Sequence, residues 1–325
     1  MKAVIYTEYG PPEVLKIVEL EKPTPQDKQV LVKVHATSIN AGDYRVRVGK
    51  PFAMRIMMGG FGKPKNQRVG SDVAGRVEAV GENVTRFSPG DVVFGCAKGA
   101  LAEYALAREA YLAFKPASRS FEEAAAVPVA ALTALQGLRH AGGVQPGQKV
   151  LIQGASGGVG TFAVQLAKAF GAEVTAVCST RNLEMASSIG ADHVIDYTQE
   201  DFTRKQQSYD LILAVNGYHS LSAYRRALSP QGAYVCAGGT LPQIFQAMLL
   251  GSWMSKKGGK KMSNMGLAKV NQEDLVYLGE LLEDGKIFPV IDHRYSLKEV
   301  LQAFRYVEGK HAQGKVVIKV GDDSG

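Results

Sequence analysis

At 325 residues the chain is long for one compact core, so two domains are expected. Apolar residues make up 46% and charged residues 21%, ordinary for a soluble globular enzyme, and three scattered cysteines (Cys96, Cys178, Cys236) exclude a disulfide scaffold and a Cys-rich zinc knuckle. The formal charge of +7 is concentrated: Leu241 to Gln272 holds Lys256, Lys257, Lys260, Lys261 and Lys269 and no acid, a sign that suits phosphate-bearing ligands, nucleic acid or an anionic membrane as well as a plain solvated loop.

The N-terminus reaches Glu8 before any apolar run long enough for a signal peptide, and no stretch approaches eighteen uninterrupted apolar residues. A cytoplasmic setting is therefore expected. The first 115 residues read as β-rich: Val30-Leu31-Val32-Lys33-Val34, Val73 to Val80 and Asp91-Val92-Val93-Phe94 are separated by turn signals such as Gly10-Pro11-Pro12 and Pro89-Gly90-Asp91. From Phe121 the chain turns helical, with Ser120 as the expected N-cap.

After Lys149 strands and helices alternate. Val150 to Ile152, Glu173 to Val177, His193 to Ile195, Leu211 to Val215 and Ala233 to Cys236 are apolar runs of the kind buried in a parallel sheet. Phe162, Val164, Leu166, Ala167 and Phe170 supply the helical repeat between the first two. Such βαβ alternation predicts a doubly wound sheet with right-handed crossovers. From about Asn271 one amphipathic helix (Leu275, Leu278, Leu281, Leu282) precedes a last strand at Lys315 to Val320.

The sharpest motif is Gly154-Ala155-Ser156-Gly157-Gly158-Val159-Gly160, directly after a strand and opening a helix. Glycines there let backbone approach a pyrophosphate, whose charge the helix N-terminus favours. Ala155 replaces the first glycine of the strict pattern, but strand, turn, helix and second strand arrive in the required order. Ser156, Gly157, Gly158, Val159 and Gly160 are thus expected to bind a dinucleotide. The end of the second strand selects the cofactor. NAD sites usually place an acid there for the ribose 2′-hydroxyl. This chain offers Ser179-Thr180-Arg181-Asn182 and no acid until Glu184, so NADPH is expected, with Arg181 pairing the 2′-phosphate and Ser179 and Asn182 beside it. Asn216-Gly217 and Gly238-Gly239-Thr240 each follow an apolar strand, at the carboxyl edge where such sheets bind ligands.

With these residues in hand the chain resembles the medium-chain dehydrogenase/reductase superfamily, specifically its zinc-independent quinone oxidoreductase branch. The likeness covers Met1-Lys2-Ala3-Val4, Gly70 to Val77, Gly81 through Gly95, the glycine turn and Gly314-Lys315-Val316-Val317-Ile318. It implies an α/β protein with a Rossmann-type doubly wound parallel sheet domain (120–268) and a split, β-rich GroES-like catalytic domain (1–119 and 269–325). A homodimer and an active site in the cleft are implied as well. Zinc enzymes of the superfamily carry a cysteine in the segment matching Ala36 to Asp43 and a His-Glu pair after the glycine matching Gly70. Here Asn40, Ser71 and Asp72 stand there, the four-cysteine lobe is missing, and no metal is expected.

The resemblance also implies roles. Asn40, Asp43 and Tyr44 lie near nicotinamide and substrate, or equally form a polar turn at a strand-helix junction with Asp43 as helix cap. Thr133 faces the nicotinamide carboxamide, Tyr197 lies near the adenosine phosphate, and Lys315 reaches toward the cofactor. Phe52, Met54, Ile56, Met57, Met58 and Phe61 suggest an apolar flap or simple loop packing. The segment from Leu241 to Lys269 reads as longer and more basic than the usual crossover. Its Ile244, Phe245, Met248, Leu249, Leu250 and Trp253 suit a substrate lid, a dimer contact or, less favoured, membrane contact through 241–261. Without a Lewis acid, the economical chemistry is hydride transfer from NADPH to a small apolar quinone or α,β-unsaturated carbonyl. The rivals are a metal-free NADP-dependent alcohol or carbonyl dehydrogenase, and an NADPH-binding scaffold whose basic segment holds RNA or lipid; no nucleic-acid partner is expected.

Overall fold

The computed structural model describes residues 1–49, 55, 60–65, 67–205, 207–255, 259–309 and 312–321. The chain forms two compact units: Met1–Val129, Val270–Asp284 and Pro289–Gly325 make the first, Ala130–Lys269 and Gly285–Phe288 the second. Most of the expected apolar flap (Phe52, Met54, Ile56, Met57, Met58) lies outside the described residues, as do Lys256 and Lys257; Phe61 is described and exposed.

The first unit opens with an antiparallel pair, β1 (Lys2–Tyr6) and β2 (Leu15–Glu19). Then come β3 (Gln29–Ile39), α1 (Ala41–Val48), β4 (Asp72–Val80), β5 (Val92–Cys96), β6 (Tyr104–Arg108), β7 (Leu112–Phe114) and α2 (Phe121–Ala125). β-Branched residues build the pleated surfaces: Val30, Val32, Val34, Val73, Val77 and Val93 pack into one cluster with Phe87 and Leu112. Ser120 caps α2 as expected, its hydroxyl accepting the Glu123 N–H at 3.1 Å while the Glu123 carboxylate accepts the Ser120 N–H at 2.8 Å. This helix lies within the first unit, where the Phe121 ring stacks on His35 at 4.2 Å between centroids.

α3 (Pro128–Arg139) leads on to the parallel sheet of the second unit. Its strands are β8 (Lys149–Gln153), β9 (Glu173–Cys178), β10 (His193–Asp196), β11 (Tyr209–Ala214), β12 (Leu228–Cys236) and β13 (Lys261–Asn264). Between them run α4 (Gly158–Ala169), α5 (Leu183–Ser188), α6 (Leu221–Ala227) and α7 (Leu241–Ser255). The strand order is β10-β9-β8-β11-β12-β13, with every neighbour parallel. That is the doubly wound dinucleotide-binding order, which reverses between β8 and β11. Phe162, Val164, Leu166 and Ala167 of α4 are fully buried, as their spacing requires.

The segment from Leu241 to Lys269, expected as a long, basic crossover with an apolar patch, holds in its described part the last crossover helix, α7, and the sixth strand, β13. β13 escapes sequence reading because it is short and largely polar, and only Met262 of its four residues is buried.

The chain then returns to the first unit with α8 (Gln272–Glu283), β14 (Ile291–Ser296), α9 (Val300–Glu308) and β15 (Lys315–Lys319). Leu275, Leu278, Leu281 and Leu282 are the buried stripe of α8. β15 pairs antiparallel with β3, giving a sheet ordered β14-β15-β3-β4-β5-β7 in which β6 also pairs with β3.

Candidate active site

In the second unit the candidate residues gather at the carboxyl ends of the parallel strands. β8 ends at Gln153, and Gly154 turns the chain with φ +83° while its N–H donates to the Val177 carbonyl at 3.1 Å. Asn216, exposed at the end of β11, donates its N–H to the Gln153 carbonyl at 3.2 Å, so the two loops at the switch point meet. A Cβ on Gly160 would lie 2.1 Å from the Gly154 carbonyl oxygen, so close packing of the turn itself demands glycine there. Gly157 differs: its φ is −83°, and a Cβ would meet only that same oxygen, at 3.8 Å. Gly157 is the N-cap of α4; no side chain caps this end, and the first turn holds no acid. The half-buried stretch Ser156–Val159 thus surrounds a helix N-terminus with open backbone donors, suited to an anion.

At the end of β9, Ser179 accepts a hydrogen bond from the buried Asn182 amide at 3.0 Å, while Arg181 is exposed. The structure adds an acid that the sequence order hides. Asp196, at the end of β10, pairs across from Cys178. Its carboxylate accepts from the Thr180 hydroxyl at 2.5 Å, the Thr198 N–H at 2.9 Å and the Thr198 hydroxyl at 2.8 Å, and these bonds hold it below the usual carboxylate range. Tyr197 follows and lies edge-on to Tyr218, ring centroids 6.1 Å apart. Gly217 and Gly239 form a parallel bridge, and a Cβ on Gly238 would meet the Val215 carbonyl oxygen at 2.3 Å. Behind them the Tyr224 hydroxyl donates to Gln153 and accepts the Tyr218 and His219 N–H groups, which anchors the loop carrying Asn216. Thr133 is half-buried on α3.

In the first unit, three strand ends meet. Register pairs Ile39 with Val316 and Ala36 with Ala74, so Asn40 after β3, Asp72 opening β4 and Lys315 opening β15 converge. Asp72 is wholly buried: one oxygen accepts the Val129 N–H at 2.8 Å, the other accepts from the Ser38 hydroxyl, from Asn40 Nδ2 at 2.8 Å and from Lys315 Nζ at 3.2 Å. Lys315 Nζ also donates to Asn40 Oδ1 at 2.5 Å. The lysine expected to reach the cofactor is therefore buried against Asn40 and Asp72. Asp43 sits at the third position of α1, accepting the Asn40 backbone N–H at 2.8 Å and the Ser71 hydroxyl at 3.1 Å. Burial pushes its carboxyl up to about 6, against the lowering effect of those bonds. Tyr44 packs against the cluster of Leu297, Val300, Phe304 and Val316.

Residues 26–137 match the model of the alcohol dehydrogenase GroES-like domain, and residues 189–318 match that of the zinc-binding dehydrogenase. The 2-methylene-furan-3-one reductase of Solanum lycopersicum is 37% identical over 98% of this chain and 79% of its own length. The quinone oxidoreductase from Coxiella burnetii is 32% identical, with a TM-score of 0.86 over 99% of each chain. The chain belongs to the medium-chain dehydrogenase/reductase superfamily, in its quinone oxidoreductase branch. The structure of the mycobacterial protein Rv1454c complexed with NADPH is 25% identical with a TM-score of 0.83, and the match covers 98% of this chain and 100% of that one.

As a member of this superfamily the protein is a nicotinamide-dependent oxidoreductase, and its own residues fit such a cofactor. The uncapped α4 N-terminus and the open space at Gly157 form a backbone cradle suited to a pyrophosphate. Sequence reasoning missed Asp72 as the hub of the charged cluster, seeing it only as a substitution at a zinc position. Its signal was an acid inside a strand whose next three residues are apolar or small. Among the described residues no helix is long and apolar enough to cross a membrane.

Proposed function

We propose that this protein delivers a hydride from NADPH to a small apolar quinone or α,β-unsaturated carbonyl without a catalytic zinc. The observation that carries this reading is the Asn40 amide. It stands where the zinc enzymes keep a cysteine ligand, and the bonds to Lys315 and Asp72 present Nδ2 as a donor. As hydride arrives at a conjugated acceptor, negative charge develops on its oxygen, and a preorganised N–H stabilises that charge in the transition state more than in the ground state.

NADPH, when bound, supplies the hydride from C4 of its nicotinamide ring. Ser156, Gly157, Gly158, Val159 and Gly160 hold the pyrophosphate at the α4 N-terminus. Ser179, Arg181, Asn182 and Tyr197 surround the adenosine 2′-phosphate; the satisfied hydrogen bonds of Asp196 support this choice over NADH, because that acid is already engaged by two threonines. Asn216, Gly238 and Gly239 line the carboxyl edge, and Thr133 meets the carboxamide. Asn40 donates to the acceptor oxygen, Asp43 fixes the Asn40 backbone, and Tyr44 donates or relays the final proton.

Zinc needs three protein N, S or O ligands and an open position. The matched positions carry an amide, a hydroxyl and a carboxylate that already accepts four donors, one of them a buried ammonium 3.2 Å away. Those residues do not fit the ion. The tomato relative is named for a conjugated ketone, which supports the acceptor class. A homodimer in the cytoplasm belongs to the same proposal.

The test is a panel of quinones, enones and saturated aldehydes followed by NADPH oxidation, before and after chelator treatment, with C4-deuterated NADPH. Quinones and enones should turn over, chelation should change nothing, and the label should reach a carbon conjugated to the carbonyl. Label found only on a carbonyl carbon would favour the metal-free carbonyl dehydrogenase instead. Loss of a stoichiometric zinc together with activity would overturn the metal-free mechanism.

A further inference from the structure

Of the three polar groups that meet at the ends of β3, β4 and β15, Asn40 is half-buried, whereas Asp72 is 0% exposed and Lys315 3%. A buried lysine beside a proposed hydrogen-bond donor is costly unless it serves that donor or the fold. An amide side chain normally has two orientations related by a flip, since its oxygen and nitrogen are nearly the same size. Here chemistry forbids the flip. An ammonium has only donors and an ionised carboxylate only acceptors, and Asn40 lies against one of each: Lys315 Nζ on Oδ1 at 2.5 Å, Asp72 Oδ2 on Nδ2 at 2.8 Å. Turned over, the amide would set N–H against ammonium and carbonyl oxygen against carboxylate. Asp72 is itself held by the Ser38 hydroxyl and the Val129 N–H, so the clamp has a fixed base.

We propose that Lys315 and Asp72 are positioning residues of the reaction, which lock the Asn40 amide in its donor orientation, and that Lys315 acts through Asn40 rather than by touching the cofactor. One N–H of Nδ2 is committed to Asp72, which leaves the other for the acceptor oxygen. The charge-assisted bond on Oδ1 draws electron density from the amide and makes that remaining N–H a stronger donor. The inference rests on the reading of Asn40 as donor to the acceptor.

A double-mutant cycle over Asn40→Ala and Lys315→Met tests it, reading kcat with an acceptor from the panel, the NADPH dissociation constant by fluorescence quenching, and the Tm. Lys315→Met should lower kcat at least tenfold and change NADPH affinity less than twofold. In the Asn40→Ala background the same substitution should cost almost nothing further, because the group it acts through is gone. Losses that multiply, or NADPH bound tenfold more weakly by Lys315→Met, overturn the inference while leaving the Asn40 reading intact. Near-normal kcat in Asn40→Ala alone sinks the Asn40 reading and this inference with it. Lys315→Met strands a buried carboxylate. If it does not fold, the charge-neutral pair Lys315→Met with Asp72→Asn takes its place in the cycle, where additive loss again overturns the assignment and non-additive loss supports it.

Discussion

Gly157 and Gly160 stand three residues apart in the turn after β8, yet a methyl group would find space at the first and the Gly154 carbonyl oxygen, 2.1 Å away, at the second. Their substitutions should therefore separate folding from cofactor binding. Gly157→Ala should keep cofactor-free stability within about 1 kcal/mol, the usual difference between glycine and alanine at an N-cap, while weakening NADPH more than tenfold. Gly160→Ala forces backbone to move and should cost about 2 kcal/mol or more, as overpacking typically does. Thermal unfolding without cofactor and an NADPH titration check both; equal stability losses at the two positions would contradict the assignment of Gly157 to the ligand. Arg181 tests the cofactor phosphate at the same scale. Arg181→Glu should weaken NADPH more than tenfold, since a charge-assisted pair contributes about 1.5–3 kcal/mol and the new acid repels the phosphate. Unchanged affinities for NADPH and NADH would remove the residue from the site.

Within single elements, α1 shows how a helix start doubles as a site. Asp43 both closes the first turn, by accepting the Asn40 N–H, and sits buried with its carboxyl pushed up to about 6. The folded protein thus holds the Asp43 proton more tightly than the unfolded chain. Protonation favours the folded state between the ordinary value of 3.8 and about 6, so the contribution of Asp43 falls as pH rises through that window. Above it the ionised carboxyl costs on the order of 3 kcal/mol. His219, held below its usual value by burial, works in the opposite direction over part of the same range, so the informative quantity is a difference between variants. Wild-type Tm minus that of Asp43→Asn should rise by roughly 2 °C between pH 7.5 and pH 5. A difference flat with pH would mean that Asp43 is not the group responsible. α7 makes a second point at this scale: Phe245, Met248, Leu249 and Trp253 are exposed although they look like core by composition. Its buried positions are Gln243 and Ala247, with Gly251 closing on the Met262 carbonyl of β13.

For the whole molecule, the parallel sheet of the second unit was legible because strands buried on both faces read as continuous apolar runs, from Val150–Ile152 to Ala233–Cys236. The glycine turn was legible for a similar reason: local steric demands at Gly154 and Gly160 restrict those positions to glycine whatever surrounds them. Local signals also specified the Ser120 cap, the α8 leucine stripe and the absence of a cysteine or histidine at Asn40, Ser71 and Asp72. What tertiary structure alone decided involves residues far apart in the chain. β13 exists because a parallel neighbour, β12, offers its hydrogen-bonding edge to a segment too polar to announce itself. Asp196 reaches Thr180 only through the β9–β10 pairing, which no scan along one strand can reveal. Lys315 lies 275 positions from Asn40, and antiparallel register between β15 and β3 sets its ammonium on the amide. Periodicity and turn chemistry are written over a few neighbouring residues, whereas a charge's partner depends on which strands lie side by side.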